Sequence, residues 1–176
     1  MRLATLDELI VIREKWQRDG RQVVFTNGVF DLLHIGHLNY LERARTLGDA
    51  LIVGLNSDAS TRALKGPRRP LVPQRERATL LSALRCVDYV TIFDEPTATE
   101  LVTALYPDMY VKGGDYALPD HDVDQSARLA VDESRLPEAQ VVRRYGGEVV
   151  LLPYLEGYST TALIQQILSL YRDEAG

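Results

Sequence analysis

Cysteine is almost missing from this chain: Cys86 is the single one among 176 residues. An internal disulfide and a cysteine-built zinc centre are thereby excluded. Cys86, in an apolar helical stretch, reads as a small core residue. Histidine is scarce as well, with three in all. No apolar run approaches the length of a membrane span. Residues 1–20 are charged and helix-like rather than patterned as a secretion signal, so a cytoplasmic protein is expected. An excess of positive charge is lacking too: the formal net charge is −5, which argues against a general nucleic-acid binder. No Gly-x-Gly-x-x-Gly follows the first strand-like run, which argues against a dinucleotide-dependent oxidoreductase.

What is present is the balance of an ordinary globule, 45% hydrophobic and 26% charged. The length suits one domain over residues 1–176. Thr5 to Arg18 reads as a helix, with Thr5 and Glu8 forming a capping box and Gly20 ending it. Gln22 to Thr26 is the first strand. Leu38, Leu41, Ala44 and Leu47 mark a helical stripe, and Ala50 to Leu55 is a second, fully apolar strand. Asn56 to Leu71 reads as a long polar loop, a length that usually carries function. Pro73 opens a helix with Leu80, Leu81 and Leu84 facing inward. Val87 to Phe93 is a third strand. Thr97 to Leu105 is a helix, with Thr97 as cap and Glu100 completing a capping box. Met109 to Lys112 is a fourth strand. Much of Gln125 to Arg144 reads as helical, divided at Pro137. Residues 117–145 form an insertion or lid whose role the sequence leaves open. Glu148 to Leu152 is a fifth strand. Ser159 to Tyr171 closes the chain as a helix, with Leu163, Ile164, Ile167, Leu168 and Tyr171 as its stripe.

Strands alternating with helices predict an α/β fold, a Rossmann-like doubly wound parallel sheet of five strands with helices on both faces. The polar segments fall just after strands: Thr26 to His37, Asn56 to Arg69, Lys112 to Tyr116, and the turn leading to Ser159. Strand C-termini share one edge of such a sheet, so these segments are expected to meet in one crevice.

The stretch Thr26-Asn27-Gly28-Val29-Phe30-Asp31-Leu32-Leu33-His34-Ile35-Gly36-His37 stands where a strand ends and a helix begins, the place where helix N–H groups hold phosphates. Two histidines three apart also suit a metal ion. Only His121, far along the chain, remains to complete such a site, so a phosphate cradle is preferred and no metal ligand is assigned. Gly36 between them favours close approach of backbone to a ligand. Lys65 lies in a Gly- and Arg-rich segment with Arg68 and Arg69 and reads as a phosphate clamp. Arg77 starts an apolar stripe, either snorkelling to water or reaching a phosphate. Lys112 and Asp115 flank Gly113-Gly114, a pair that suits close approach to a base or sugar. Asn56, Ser57 and Asp58 are either a side-chain-built turn or part of the same rim. Ser159 reads as a helix cap whose first turn, with Thr160 and Thr161, has free N–H groups for a ligand.

The Thr26–His37 segment, with its His-x-Gly-His ending, resembles the signature of the cytidylyltransferase-like nucleotidyltransferases. Glu156-Gly-Tyr-Ser-Thr-Thr-Ala-Leu-Ile164 resembles that family's second motif, except that Ile164 stands where many members carry a basic residue. Within the family the chain looks like the members that adenylylate glycero-manno-heptose 1-phosphate, through Leu51 to Ser60, Leu64-Lys-Gly66, Val111 to Tyr116 and Gly157 to Thr161. The resemblance implies transfer of AMP from ATP to a sugar 1-phosphate, with Mg²⁺ on the triphosphate. His34, His37, Lys65 and Arg77 would stabilise charge. Thr26, Asn27, Gly28, Phe30, Gly36, Gly113, Gly114, Ser159, Thr160 and Thr161 would hold the nucleotide, and Asp31, Asn56, Asp58, Lys112 and Asp115 the acceptor. The expected partners are small molecules, with neither nucleic acid nor membrane, and a homodimer is left open. The alternatives are a different small phosphorylated acceptor, such as glycerol 3-phosphate with CTP, and a non-catalytic nucleotide-binding domain. The sugar, its anomer and the nucleotide preference beyond ATP are not legible.

Overall fold

The structure is a computed structural model that describes residues 2–114, 132 and 135–171. Its elements, in chain order, are α1 (Leu6–Arg18), β1 (Val23–Gly28), α2 (Ile35–Arg45), β2 (Ala50–Asn56), α3 (Asp58–Lys65) and α4 (Gln74–Ala83). They are followed by β3 (Tyr89–Phe93), α5 (Thr99–Leu105), β4 (Met109–Gly113), α6 (Pro137–Arg144), β5 (Glu148–Leu152) and α7 (Thr160–Tyr171). The five strands form one sheet in the order β3-β2-β1-β4-β5. Every pairing is parallel. The expected α/β doubly wound sheet is therefore the observed one. Winding goes outward from β1 to β3, then returns to the other side of β1. The C-terminal ends of β1 and β4 flank the resulting switch point, where such sheets open a crevice.

Alternation along the strands builds two cores. Val23 and Phe25 of β1 face a cluster with Leu9 and Trp16 of α1, Leu101 and Val102 of α5, and Ala139 and Val142 of α6. Val24 faces the opposite cluster with Tyr40, Leu41 and Ala44 of α2 and Ala78 and Leu81 of α4. The capping box that opens α1 forms as expected: Thr5 N–H donates to Glu8 Oε2 at 2.8 Å, and Glu8 N–H donates to Thr5 Oγ1 at 3.3 Å.

Several expected details differ. The segment 56–71 is not all loop, because residues 58–65 form α3. Ser57 caps that helix, its Oγ accepting the Ser60 N–H at 3.1 Å. Thr97 does not cap α5. Ala98 is the N-cap residue, without a side-chain cap, and its own N–H donates to the buried Glu138 Oε1 of α6 at 2.8 Å. A distant carboxylate thus replaces the local capping box. Leu80 is exposed, because α4 turns Arg77, Ala78 and Leu81 inward. Residues 137–144 are no lid: α6 packs in the first core through Ala139 and Val142, with Pro137 at its first turn. The rest of the expected insertion, residues 117–131, 133 and 134, lies outside the described residues. The stripe expected to seat α7 does not do so, since no residue of that helix is buried.

Leu41 is fully buried between α2 and the sheet. Leu41→Ala is expected to lower unfolding free energy by about 2–5 kcal/mol in urea denaturation. An unchanged midpoint would place α2 outside the core.

Candidate active site

The turn from β1 to α2 carries the site. His34 is the N-cap of α2: its Nδ1 accepts the Gly36 N–H at 3.1 Å. A neutral ring that accepts at Nδ1 has its proton on Nε2, which leaves Nε2–H as a donor. His37 lies one turn on, and the two rings stack with centroids 3.8 Å apart and planes at 25°. Phe30 packs edge-on against His37 at 5.3 Å. Gly36 is required by this packing, since a Cβ there would lie 2.9 Å from His34 Cε1 and 3.1 Å from the Tyr158 Cβ. The glycine admits neighbouring side chains, not only a ligand.

Burial holds both imidazoles neutral. It pushes His34 down from its ordinary value. His37 falls from 6.5 to about 4, through burial first and the His34 ring second, with Asp31 opposing. His37 Nδ1 is buried without a hydrogen-bond partner among the described residues.

Asp31 is held by other parts of the chain. Its buried carboxylate accepts from Leu71 N–H at 2.9 Å, Val72 N–H at 3.0 Å and Arg69 Nη1 at 3.0 Å. Burial alone would raise its pKa, but these donors bring it below the ordinary carboxylate value. Its backbone carbonyl accepts the Thr160 hydroxyl at 2.9 Å. Phe30 and Leu32 on either side both have φ of +48°, a left-handed conformation that costs an L-residue about 1–2 kcal/mol. Contacts on both sides of Asp31 hold the turn in that shape.

Arg77 is likewise held by groups of the chain itself. The side chain is 1% exposed, and its guanidinium donates to three carbonyls: Val72 at 2.8 Å, Val29 at 2.6 Å and Asn56 at 2.9 Å. It also pairs with Asp58 Oδ1 at 2.7 Å. The side chain does not snorkel to water: Arg77 ties the ends of β1 and β2 to the segment before α4. Asp58 and Asn56 go with it. The Asn56 side chain donates to Ser60 Oγ at 2.9 Å within a buried turn, so these two build the rim. Thr26 is fully buried, its hydroxyl 2.7 Å from that of Tyr40, while its backbone pairs with both β2 and β4. It supports the cradle from beneath.

Other expected residues do gather at the switch point. Lys112 at the end of β4 donates from Nζ to the Asn27 carbonyl at 3.2 Å and to Asn27 Oδ1 at 3.1 Å, bridging the two strand ends. Gly28 lies against the Phe30 ring. At Gly113 the close approach is made by Tyr154, whose phenolic oxygen lies 2.0 Å from where a Cβ would stand. Gly114 follows at the strand end, and Asp115 lies outside the described residues. Ser159 Oγ accepts the Ala162 N–H at 3.0 Å as the expected cap, and Thr161 is exposed beside it. Lys65 is exposed on the last turn of α3, with no partner among the described residues. Tyr154, Tyr158 and the Arg69 pairing with Asp31 were not foreseen, because their significance lies in contacts far apart in sequence.

A sequence model of the cytidylyltransferase-like family matches residues 25–166. The chain belongs to this family. It is 53% identical over 155 residues to the bifunctional protein HldE of Trichlorobacter lovleyi, an alignment covering 88% of this chain and 28% of the relative. With HldE of Geobacter sulfurreducens it shares 47% over 173 residues, covering 98% and 32%. The chain thus spans about a third or less of these relatives. Among solved structures, a lipopolysaccharide core biosynthesis protein from Thermoplasma volcanium matches with a TM-score of 0.56 and 28% identity, over 80% of this chain and 100% of that one. Pantoate-beta-alanine ligase from Francisella tularensis, at 15% identity and a TM-score of 0.61 over 98% of this chain and 78% of the ligase, shares the fold.

Two outcomes follow from this geometry. Arg77→Met is expected to cost at least about 3 kcal/mol in urea denaturation, because it leaves Asp58 and three carbonyls, that of Asn56 buried, without their donor. Unchanged stability with reduced ligand affinity would instead support a phosphate contact. His37 has a depressed pKa, so the unfolded chain binds its proton first as the solution is acidified. The stability linked to its neutral form is complete above about pH 6.5 and lost as pH falls toward 4, an effect on the order of 3 kcal/mol. His37→Gln is expected to flatten stability over that range, and an unaltered slope would contradict the assignment. The Asp31 contribution is lost only at lower pH, below 3.8.

Proposed function

We propose that this chain transfers the adenylyl group of ATP to a sugar 1-phosphate and releases pyrophosphate, with glycero-manno-heptose 1-phosphate as the acceptor favoured by the sequence resemblance. The observation that carries this reading is the stacked, neutral His34–His37 pair at the N-terminus of α2, beside the β1–β4 switch point. An oxygen of the acceptor phosphate attacks the α-phosphorus. The bond from that phosphorus to the bridging oxygen of the β-phosphate breaks, and its electron pair leaves with pyrophosphate. The attacking group is already an anion, so no base has to remove a proton. The protein's task is alignment and neutralisation of developing charge.

Neutral imidazole N–H groups and the first turn of α2 suit the phosphates, and Lys65 is an exposed cation at the end of α3. Lys112 with Asn27, and the Gly113–Gly114 strand end beneath Tyr154, border the organic part of the ligands. Ser159, Thr160 and Thr161 flank the same crevice from α7. Mg²⁺ belongs to the triphosphate substrate, held by phosphate oxygens and water. The partners in this reading are small molecules handled in the cytoplasm, with no role for nucleic acid. Among the described residues no helix is long and apolar enough to cross a membrane.

A pyrophosphate-release panel of ATP and CTP against heptose 1-phosphate, glycerol 3-phosphate and phosphopantetheine tests the assignment. Turnover is expected with ATP and the sugar phosphate. Nucleotide binding without any release would support a non-catalytic module. In the active pairing, His37→Ala is expected to lower kcat at least about 100-fold. Lys65→Ala should lower it about tenfold or more while unfolding free energy stays within about 0.5 kcal/mol. Wild-type rates in His37→Ala would refute the role of the turn.

A further inference from the structure

We propose that Tyr110 is a positioning residue for the acceptor: with Lys112 it fixes the Asn27 side chain so that the amide N–H2 donates to a hydroxyl of the sugar phosphate. The inference rests on the adenylyl-transfer reading and gives the second substrate a place within it. Asn27 Oδ1 takes two donors, the Tyr110 hydroxyl at 2.7 Å and Lys112 Nζ at 3.1 Å. An ammonium can only donate, so a flipped amide would set N–H2 against it. Lys112 Nζ also donates to the Asn27 carbonyl at 3.2 Å, which ties the side chain to its own strand. One orientation of the amide is therefore fixed, with Nδ2 as the outward donor. Among the described residues nothing accepts from Nδ2, and it is not one of the buried polar atoms left without a partner. It is open to the crevice at the end of β1. Tyr110 is fully buried and stacked on Phe25, with centroids 6.0 Å apart and planes at 22°. The hydroxyl that holds Asn27 is thus itself held.

The side of the strand decides the ligand. Asn27 shares a face of β1 with Phe25: a Cβ on Gly54 would lie 2.8 Å from Phe25 Cζ and 3.2 Å from the Asn27 Cβ. That face carries the core built with α1, α5 and α6. The histidine turn belongs to the opposite face, because α2 packs there with Val24 and Phe30. The start of α7 joins the histidine side, where a Cβ on Gly36 would lie 3.1 Å from the Tyr158 Cβ. Attacking and leaving groups stand on opposite sides of the phosphorus in an in-line displacement. With the triphosphate on the histidines, the sugar phosphate enters over the Asn27 side. A neutral amide donor suits a hydroxyl, and the Lys112 charge behind it suits a ligand that also carries a phosphate. Asn27, expected among the nucleotide contacts, serves the acceptor through its side chain.

Steady-state kinetics on the full chain, with the substrate pairing that releases pyrophosphate, test this. Asn27→Asp keeps an oxygen for both donors and adds an ion pair to Lys112, so Tm is expected at or above wild type. Its KM for the sugar phosphate is expected to rise about tenfold, while that for MgATP stays as in wild type. Tyr110→Phe loosens the amide without removing it and is expected to raise the same KM about threefold to fivefold. Tyr145→Phe removes another tyrosine hydroxyl, bonded to the Pro107 carbonyl at 3.0 Å at the other end of the sheet. It should change neither KM, which separates positioning from lost stability. Among monodeoxy analogues of the sugar phosphate, wild type is expected to lose about tenfold in KM for one, and Asn27→Asp to treat that analogue and the parent alike. Should Asn27→Asp fail to fold, Tyr110→Phe makes the same comparison, with a smaller penalty for that analogue than in wild type. Equal rises in both KM values, unchanged kinetics in both variants, or an analogue penalty that the variants leave intact would overturn the proposal. A wild type that releases no pyrophosphate from any pairing would overturn the adenylyl-transfer reading itself, and this inference with it.

Discussion

Asp31 is the interaction on which the site depends. Its carboxylate gathers the N–H groups of Leu71 and Val72 and the Arg69 guanidinium, and its carbonyl takes the Thr160 hydroxyl. Two left-handed residues, Phe30 and Leu32, flank it. That conformation persists only because the surroundings over-determine it. The result is that the β1–α2 turn, the segment before α4 and the start of α7 are fixed relative to one another. His34 and His37 are presented at one edge of the sheet by a frame whose parts lie 38 to 129 residues apart in sequence. Arg77 performs the matching task on the other side, tying the ends of β1 and β2 to the same segment.

This division explains what could be read from the sequence. The sheet, the crevice and the histidine turn were legible because they rest on local signals: an apolar run, a glycine, a helical stripe. The doubly wound order follows from alternation of strand and helix together with the handedness of crossovers. The tertiary partners of Asp31, Arg77, Asn56 and Asp58 were not legible, for one shared reason. A charged or polar residue near a strand end looks the same whether it faces a substrate or a distant backbone carbonyl. Only the tertiary partner decides, and the partner carries no local mark. The missing α3 is a different case. Ser57, the cap of that helix, reads in the sequence as part of a side-chain-built turn, and the Gly66-Pro67 break and the charges after it give the whole segment the texture of a loop. The Thr97 cap failed because Glu138, from another layer, satisfies the start of α5 instead.

The electrostatics also sharpen the role of the histidines. Burial and mutual stacking keep both rings uncharged near neutral pH, so the site is not a permanent cationic cradle. An incoming polyphosphate would meet neutral N–H donors, a helix N-terminus and the exposed Lys65. Its negative charge would in turn favour protonation of the rings. On the proposed reading the histidine pair would gain positive charge together with its ligand, so no unpaired imidazolium is buried without it.

The central claim is that nucleotide phosphates bind at the His34–His37 turn. It is tested most directly by NMR of the imidazole nitrogens during titration with MgATP. With only three histidines in the chain, each ring can be assigned and followed through pH. The account predicts that the His34 and His37 resonances move in a saturable way, and that the His37 pKa rises from about 4 toward neutrality in the complex. Saturable ATP binding that leaves both rings and the His37 titration unchanged would contradict it.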